Sequence, residues 1–356
     1  MSRPIDVNST LNIALIGAGD VAQLHMAGLV KLPSVNLYAI AASDEASSRR
    51  AAQRYHFQKY FSDYRQLLAD PQVDVVHVLT PNSLHLEVVE AALQAGKHVI
   101  AEKPLGLGLD QALQLQELAE NSGLICAVNF HYRHFPQVQR ARALIAEGEL
   151  GSLRLLQGSF IQDWLSLPTD YNWRLGQDGG GVIADIGSHW FDLMEYITGG
   201  RVNRVYARAQ TLVSERISEG ESVKIMQPDC ASVLFEFSNQ AVGAMSLSQV
   251  SPGRKNRLAF EISGSKQSIA WNVEESNDLW VGSRNEANSL QQSPGDYPLI
   301  WGGGVAALLS NAYQAIRAHD PGGAFEYPRF ADAVRSQIVV EAIIRSTKQD
   351  EWVDVA

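Results

Sequence analysis

Short apolar runs alternate with stretches of helical spacing along the first third of the chain. The runs fall at residues 12–16, 36–41, 75–79, 98–101 and 125–128. Between them, apolar residues recur at the three- and four-residue spacing that places them on one helix face. Strand and helix in strict alternation predict βαβ units and a parallel, doubly wound sheet. Punctuation supports the helix that begins near Ser83: Asn82 or Ser83 is its expected N-cap, and Gly96 lies just past its end.

After residue 128 the pattern changes. Residues 135–147 predict a helix closed by Gly148, and Ile186, Trp190, Leu193 and Ile197 predict another from Asp185 onward. Runs at 153–160, 202–212, 231–237, 241–249, 257–263 and 268–271 then predict strands. Two joins, Ser238-Asn239-Gln240 and Gly264-Ser265-Lys266-Gln267, are short and polar, which predicts antiparallel hairpins. Helices over 304–318 and 330–348 complete the chain. The expected fold is therefore α/β at the N-terminus followed by an α+β domain with an open, mainly antiparallel sheet. The expected division is a flexible leader over 1–10, a dinucleotide-binding domain over 11–128, and a substrate-binding and oligomerisation domain over 129–356.

Composition narrows the field of functions. The chain has 356 residues, 46% hydrophobic and 19% charged, an ordinary globular balance with length for two cores. No stretch reaches the ~18 uninterrupted apolar residues of a transmembrane helix, and the polar N-terminus lacks the apolar core of a signal peptide, so a cytoplasmic protein is expected. A net charge of −10 argues against a nucleic-acid footprint, which needs clustered Lys and Arg. The one basic cluster, Arg254-Lys255-Asn256-Arg257, reads as a solvated loop. Cys126 and Cys230 sit in apolar runs, read as buried free thiols, and lack ligand spacing to a histidine; no metal is implied.

Three motifs carry chemistry. The turn Gly17-Ala18-Gly19-Asp20-Val21-Ala22 joins an apolar run to a helical pattern, and its glycines permit a tight turn and close approach of backbone to a pyrophosphate at the helix N-terminus. Glu102-Lys103-Pro104 closes another apolar run. Residues past the carboxyl ends of parallel strands line the ligand crevice, which puts Lys103 where a nicotinamide would end. Asp185-Ile186-Gly187-Ser188-His189, after Gly179-Gly180-Gly181, places an acid and an imidazole four residues apart. On a helix those side chains share one face, and an acid that orients a histidine is proton-transfer equipment.

Together with Thr80-Pro81-Asn82, His85, Trp173-Arg174 and a C-terminal helix ending at Trp352-Val353-Asp354-Val355, these motifs resemble the glucose-fructose oxidoreductase / inositol dehydrogenase / rhizopine catabolism (Gfo/Idh/MocA) family of NAD(P)-dependent oxidoreductases. The resemblance covers nearly the whole chain and implies a Rossmann domain for NAD(P). It implies a nicotinamide C4 facing a cleft between the domains, with Lys103, Asp185 and His189 on the substrate hydroxyl. His189 is then the general base, Asp185 orients it and bonds the substrate, and Lys103 steadies the developing alkoxide. Thr80, Pro81, Asn82 and His85 match a segment laid against the cofactor, and Trp173-Arg174 is placed to close over cofactor or substrate. Tyr132 and Arg133 are weaker candidates, and the loops bearing Trp164, Tyr171-Asn172 and residues 251–254 are expected to line the substrate pocket.

One position departs from the family. Members that use NAD carry Asp at the end of the second strand, where this chain has Ala42 followed by Ser43 and Asp44. Asp44 is placed to restore the ribose contact and to repel a 2′-phosphate, while Arg49 and Arg50 are placed to accept one; the balance leans to NAD. The resemblance implies a dehydrogenase or ketoreductase acting on a secondary alcohol of a cyclic polyol, sugar or sugar derivative. Its rivals are a glycoside-cleaving relative that oxidises only transiently and a non-catalytic sugar- or dinucleotide-sensing regulator. Family members commonly pair through the C-terminal sheet, and the run 231–237 sets Val233, Phe235 and Phe237 against Ser232, Leu234 and Glu236. A homodimer or homotetramer built on the outer sheet face is therefore expected.

Overall fold

The computed structural model describes residues 5–176, 179–293, 304–321 and 324–355. The chain forms two compact units, one from residues 1–131 and 301–334, the other from 132–300 and 335–356.

The first unit contains a six-stranded sheet of β1 (Leu11–Ile16), β2 (Val35–Ala41), β3 (Lys59–Phe61), β4 (Val75–Val78), β5 (His98–Ala101) and β6 (Cys126–Val128). All its pairings are parallel, in the order β3-β2-β1-β4-β5-β6. The order reverses between β1 and β4, the switch point where open α/β sheets bind ligands. Central strands such as β4 are buried along their whole length, which explains their continuous apolar runs. Helices α1 (Asp20–Leu29), α2 (Glu45–Tyr55), α3 (Tyr64–Ala69), α4 (His85–Gln94) and α5 (Leu109–Ser122) connect the strands. One face packs Leu11, Ile13 and Leu15 beneath α1, and the other packs Ala14, Val76 and Val99 against residues of α4 and α5.

The second unit adds α6 (Pro136–Ala146), β7 (Leu153–Ile161), α7 (Ser188–Thr198), β8 (Val202–Gln210), β9 (Glu215–Ser218), β10 (Glu221–Lys224), β11 (Cys230–Phe237), β12 (Val242–Ser248), β13 (Arg257–Gly264), β14 (Gln267–Asn272), β15 (Asp278–Ser283) and β16 (Ser289–Gln292). After α8 (Val305–Ala318), α9 (Phe330–Gln349) and β17 (Val353–Asp354) close the chain. The nine-stranded sheet runs β16-β15-β14-β13-β7-β12-β11-β8-β17, antiparallel except for β7 beside β12. The hairpins β11–β12 and β13–β14 form at the two short polar joins. Trp190 of α7, Phe235 of β11 and Ile343 of α9 belong to a single apolar core on one sheet face. Gly158 lets the indole of Trp190 lie flat on β7, since a Cβ there would stand 2.4 Å from Nε1, which donates to Ala259 O at 2.9 Å.

Several expectations change. The expected division places helix α8 with everything after residue 128 in the second domain, yet it packs in the first unit: Val305, Leu308, Leu309, Ala312 and Ile316 join the core over β1. Gly28 of α1 makes that approach close, because a Cβ there would meet Val305 Cγ1 at 2.8 Å. The first unit also takes residues 129–131 and the start of α9. The leader over 1–10 is not free along its described part: Arg317 Nε donates to Ser9 O at 3.1 Å, and the His319 ring bonds Ile5 O at 2.8 Å. The last helix ends at Gln349, and Val353-Asp354 pairs as a strand with β8. The apolar pattern does not reveal β3, β9, β10 and β16, which are short or largely polar, nor the six-residue β15. Asn82 and Ser83 begin a short 3-10 turn instead of capping α4, whose N-cap is Leu84 with no side-chain bond.

Candidate functional site

Backbone bonds extend the sheet of the first unit past the strand ends and fix the loops there. Gly17 N–H donates to Ala41 O, Leu79 N–H to Ile16 O, Glu102 N–H to Val78 O and Asn129 N–H to Ala101 O. Gly17 has φ +107, and a Cβ on it would stand 2.4 Å from Leu79 O, so glycine alone fits against the loop after β4. Gly19 is the N-cap of α1 with no side-chain bond, and a Cβ on it would meet nothing within 4 Å. The N-terminus of α1 thus carries no side-chain cap, Ala22 N–H donates to Gly19 O at 3.0 Å, and the space beside Gly19 is open, which leaves room for a phosphate at the helix end. Asp20 and Val21 form the first turn beside them, with Asp20 exposed. Thr80 Oγ1, past β4, is buried without a hydrogen-bond partner. An open helix N-terminus and an orphaned hydroxyl at the switch point fit a dinucleotide.

Ser43 and Asp44 follow β2, and the structure gives Asp44 a local task. Its carboxylate caps α2 by accepting from Ser47 N–H at 2.8 Å, and it also receives the Ser47 and Ser43 hydroxyls. Those bonds, the Ser47 hydroxyl foremost, hold its pKa down to about 2. Arg49 donates to the Tyr60 hydroxyl and Arg50 to Ser47 Oγ.

His85 and Glu102 prove to be structural members of the loops. His85 is buried, and its ring bonds Pro104 O at 2.7 Å and Thr80 O at 3.0 Å, tying the loop after β4 to the loop after β5. Burial lowers its pKa, so the neutral ring donates to one carbonyl at a time. It is a staple between the two loops. Glu102, also buried, accepts from Asn129 Nδ2 at 2.6 Å and bonds His25 Nε2 at 2.8 Å. Burial opposes its ionisation, but those bonds and the Lys103 charge outweigh it and hold its pKa at about 2. Lys103 and Pro104, half-buried, continue the loop.

In the second unit, Asp185 departs from the expected regular helix. It lies in a π-helical turn, Ile183–Gly187, and the α-helix begins only at Ser188. Such turns interrupt α-helices at functional sites. Gly180 and Gly181, with φ +68 and +62, deliver the chain into it. Asp185 Oδ2 accepts from Gln249 Nε2 at 2.7 Å, and Arg174 Nε lies 3.8 Å from Oδ1. His189, in the first turn of α7, is buried with the Tyr132 ring edge-on at 5.1 Å and Phe160 tilted at 6.4 Å. Arg174 lies over the Trp173 ring at 4.7 Å, and Trp173 is exposed.

A buried relay supports Tyr132. Trp164 Nε1 donates to Gln162 Oε1 at 2.9 Å, Gln162 Nε2 to Asn256 Oδ1 at 2.7 Å, and Asn256 Nδ2 to the Tyr132 hydroxyl at 2.9 Å. Burial pushes the Tyr132 phenol well above its ordinary pKa. Asn256 is buried, so the basic cluster is no plain solvated loop: Arg254 pairs with Glu274 and Lys255 with Asp163 around it. Arg133 chelates Asp192 inside the unit. Sequence reasoning missed His25, Asn129, Gln249 and Asn256. Only His25 left a trace, as a histidine on the apolar face of α1.

The strand order and the open glycine turn define a dinucleotide-binding protein, and comparison with known proteins narrows the class. Residues 11–130 match the oxidoreductase family with an NAD-binding Rossmann fold, and residues 138–270 match the GFO/IDH/MocA C-terminal domain. The chain belongs to the Gfo/Idh/MocA family of oxidoreductases. It is 29% identical to levoglucosan dehydrogenase of Pseudarthrobacter phenanthrenivorans, covering 97% of this chain and 98% of that one. Myo-inositol 2-dehydrogenase of Thermotoga maritima is also 29% identical, over 78% of this chain and 80% of its own. Among solved structures, levoglucosan dehydrogenase in complex with NADH and L-sorbose superposes with TM-score 0.90 at 28% identity, covering 98% and 99% of the two chains. An inositol dehydrogenase homologue from Azotobacter vinelandii, complexed with NADH and myo-inositol, gives 0.87 at 25% identity, covering 99% of each.

Proposed function

We propose that the protein oxidises or reduces a secondary alcohol or ketone of a cyclic polyol, sugar or anhydrosugar, with Lys103, Asp185 and His189 acting on the reacting oxygen. The observation that carries this reading is Asp185 on its π-helical turn, held by Gln249 and Arg174 one step from a buried, aromatic-flanked His189. Gly17, Gly19 and the first turn of α1 would hold the dinucleotide pyrophosphate, with Asp20, Val21, Thr80, Pro81 and Asn82 beside it. When bound, that group supplies a nicotinamide able to accept or return a hydride. His189 takes the hydroxyl proton, while Asp185 orients the imidazole and bonds the substrate. Lys103 stabilises the negative charge that develops on the oxygen. Trp164, Tyr132 and Trp173 with Arg174 are proposed to shape the sugar pocket. The relatives' substrates support the class: levoglucosan and myo-inositol dehydrogenases match nearly the whole and over three quarters of the chain. A screen of anhydrosugars, inositols and ketoses that follows nicotinamide absorbance tests it. Absorbance change with at least one of them is expected; release of an aglycone without net absorbance change would favour the transient-oxidation reading instead.

NAD is the proposed cofactor, since the Asp44 carboxylate beside the end of β2 is ionised and would repel a 2′-phosphate. We expect Ala42→Asp to raise the ratio of catalytic efficiency with NAD to that with NADP. An unchanged ratio would place the ribose away from this strand end. The two free cysteines suit a reducing, cytoplasmic compartment. We also propose assembly through the outer face of the nine-stranded sheet, where Leu234 is 48% and Val242 50% exposed while their strand neighbours turn inward. Light scattering should return a dimer or tetramer; a stable monomer of 39.0 kDa at micromolar concentration would overturn this.

A further inference from the structure

Four side chains from separate elements of the first unit form an unbroken buried hydrogen-bond chain to which hydride transfer assigns no task. The Tyr313 hydroxyl of α8 meets His77 Nε2 of β4 at 2.6 Å, and His77 Nδ1 meets His25 Nδ1 of α1 at 2.7 Å. His25 Nε2 then meets Glu102 Oε1 at 2.8 Å. Tyr313, His77 and His25 are at most 1% exposed, so water completes none of these bonds.

The donors in this chain can be assigned from its ends. An ionised carboxylate only accepts, so His25 Nε2 carries a proton toward Glu102. Burial and the neighbouring imidazole keep His77 neutral, and burial keeps the Tyr313 phenol protonated. The two Nδ1 atoms share one proton between them, and the bond from His77 Nε2 to the Tyr313 hydroxyl likewise pairs one donor with one acceptor.

Glu102 links this chain to its neighbour. Its Oε1 is taken by His25 and by Asn129 Nδ2, which leaves Oε2 to accept the Lys103 backbone N–H at 3.3 Å. On the other side of Lys103, Pro104 O is tied to His85. Lys103 thus sits between two anchored residues at the end of β5. The charged and titratable groups around Glu102 are His25, His85, Lys103 and His131.

We propose that Tyr313, His77 and His25 are positioning residues: a buried hydrogen-bond chain that holds Glu102 in one orientation and thereby sets the backbone of Lys103. The proposal rests on the reading that Lys103 acts on the substrate oxygen. Two measurements test it separately from that reading. Nitrogen-15 NMR of histidine-labelled protein without substrate should show His25 protonated at Nε2, facing Glu102. An Nδ1–H tautomer in the unaltered protein overturns the chain whatever Lys103 does.

Kinetics follow on levoglucosan or myo-inositol, whichever is turned over. His77→Phe should lower kcat by ~10- to 100-fold, the scale of a small misplacement of a catalytic group, with KM for NAD and substrate little changed. His77→Gln, which keeps a donor and an acceptor, should restore most of it. In a Lys103→Ala background His77→Phe should cost nothing more. Unchanged kcat with a lowered Tm would make the chain merely structural, and a loss that adds to that of Lys103→Ala would show that it does not act through Lys103; either overturns the proposal. Should His77→Phe not fold, Tyr313→Phe carries the same pair of measurements. Full turnover in Lys103→Ala overturns the catalytic reading, while the tautomer result still decides the chain.

Discussion

Replacing Lys103 or His189 by alanine is expected to lower turnover by ~10²- to 10⁴-fold while NADH still binds, because both are assigned to the reacting oxygen and neither to the pyrophosphate. Steady-state kinetics with a true substrate, beside fluorescence titration of NADH, separates the two effects. Turnover at the unaltered level in either variant would sink the assignment. His189 carries the sharper risk of a structural side effect, since it is 7% exposed and packs edge-on against Tyr132. Lys103, half-buried on a loop, is the cleaner test.

The second large effect separates two glycines of one turn. Gly17→Val should cripple folding and cofactor binding together, since φ +107 and a 2.4 Å approach to Leu79 O leave no room for a side chain. Gly19→Ala should leave the fold intact, because the added carbon meets nothing within 4 Å and φ −73 suits alanine. It should nonetheless weaken NADH binding by ~10- to 100-fold, the loss expected when one or two charge-assisted hydrogen bonds are held off. Calorimetry of the free proteins and NADH titration read the two halves. Unchanged affinity in Gly19→Ala would mean that the pyrophosphate does not approach the end of α1.

Much of this could be read from the residues because the central strands of the first sheet, β1 and β4 above all, are buried on both faces and so appear as uninterrupted apolar runs. The polar strands β9 and β10 could not be, since Glu215–Ser218 and Glu221–Lys224 pair only with each other and carry no apolar stripe. The π-helical turn at Asp185 was invisible for a different reason: its apolar neighbours keep helical spacing whichever backbone bond they make. His77 did leave a sign, standing alone in Val75-Val76-His77-Val78, but its partner Tyr313 lies 236 residues away, beyond any local pattern. Helix α8 misled in the same way. Its apolar stripe is plain, yet nothing in the stripe says which sheet it covers.

The placement of α8 bears on the order in which the chain acquires its shape. During synthesis the residues up to His131 emerge first, and N-terminal domains ordinarily fold as they appear. Here Leu11, Ile13 and Leu15 share a core with Leu308, Leu309 and Ile316. That face of the parallel sheet, covered in part by α1, therefore waits for the rest of its cover while the ribosome makes eight of the nine strands of the second sheet. The first sheet to be born is completed by one of the last helices, and for that interval its open apolar strip is exposed to the wrong partners.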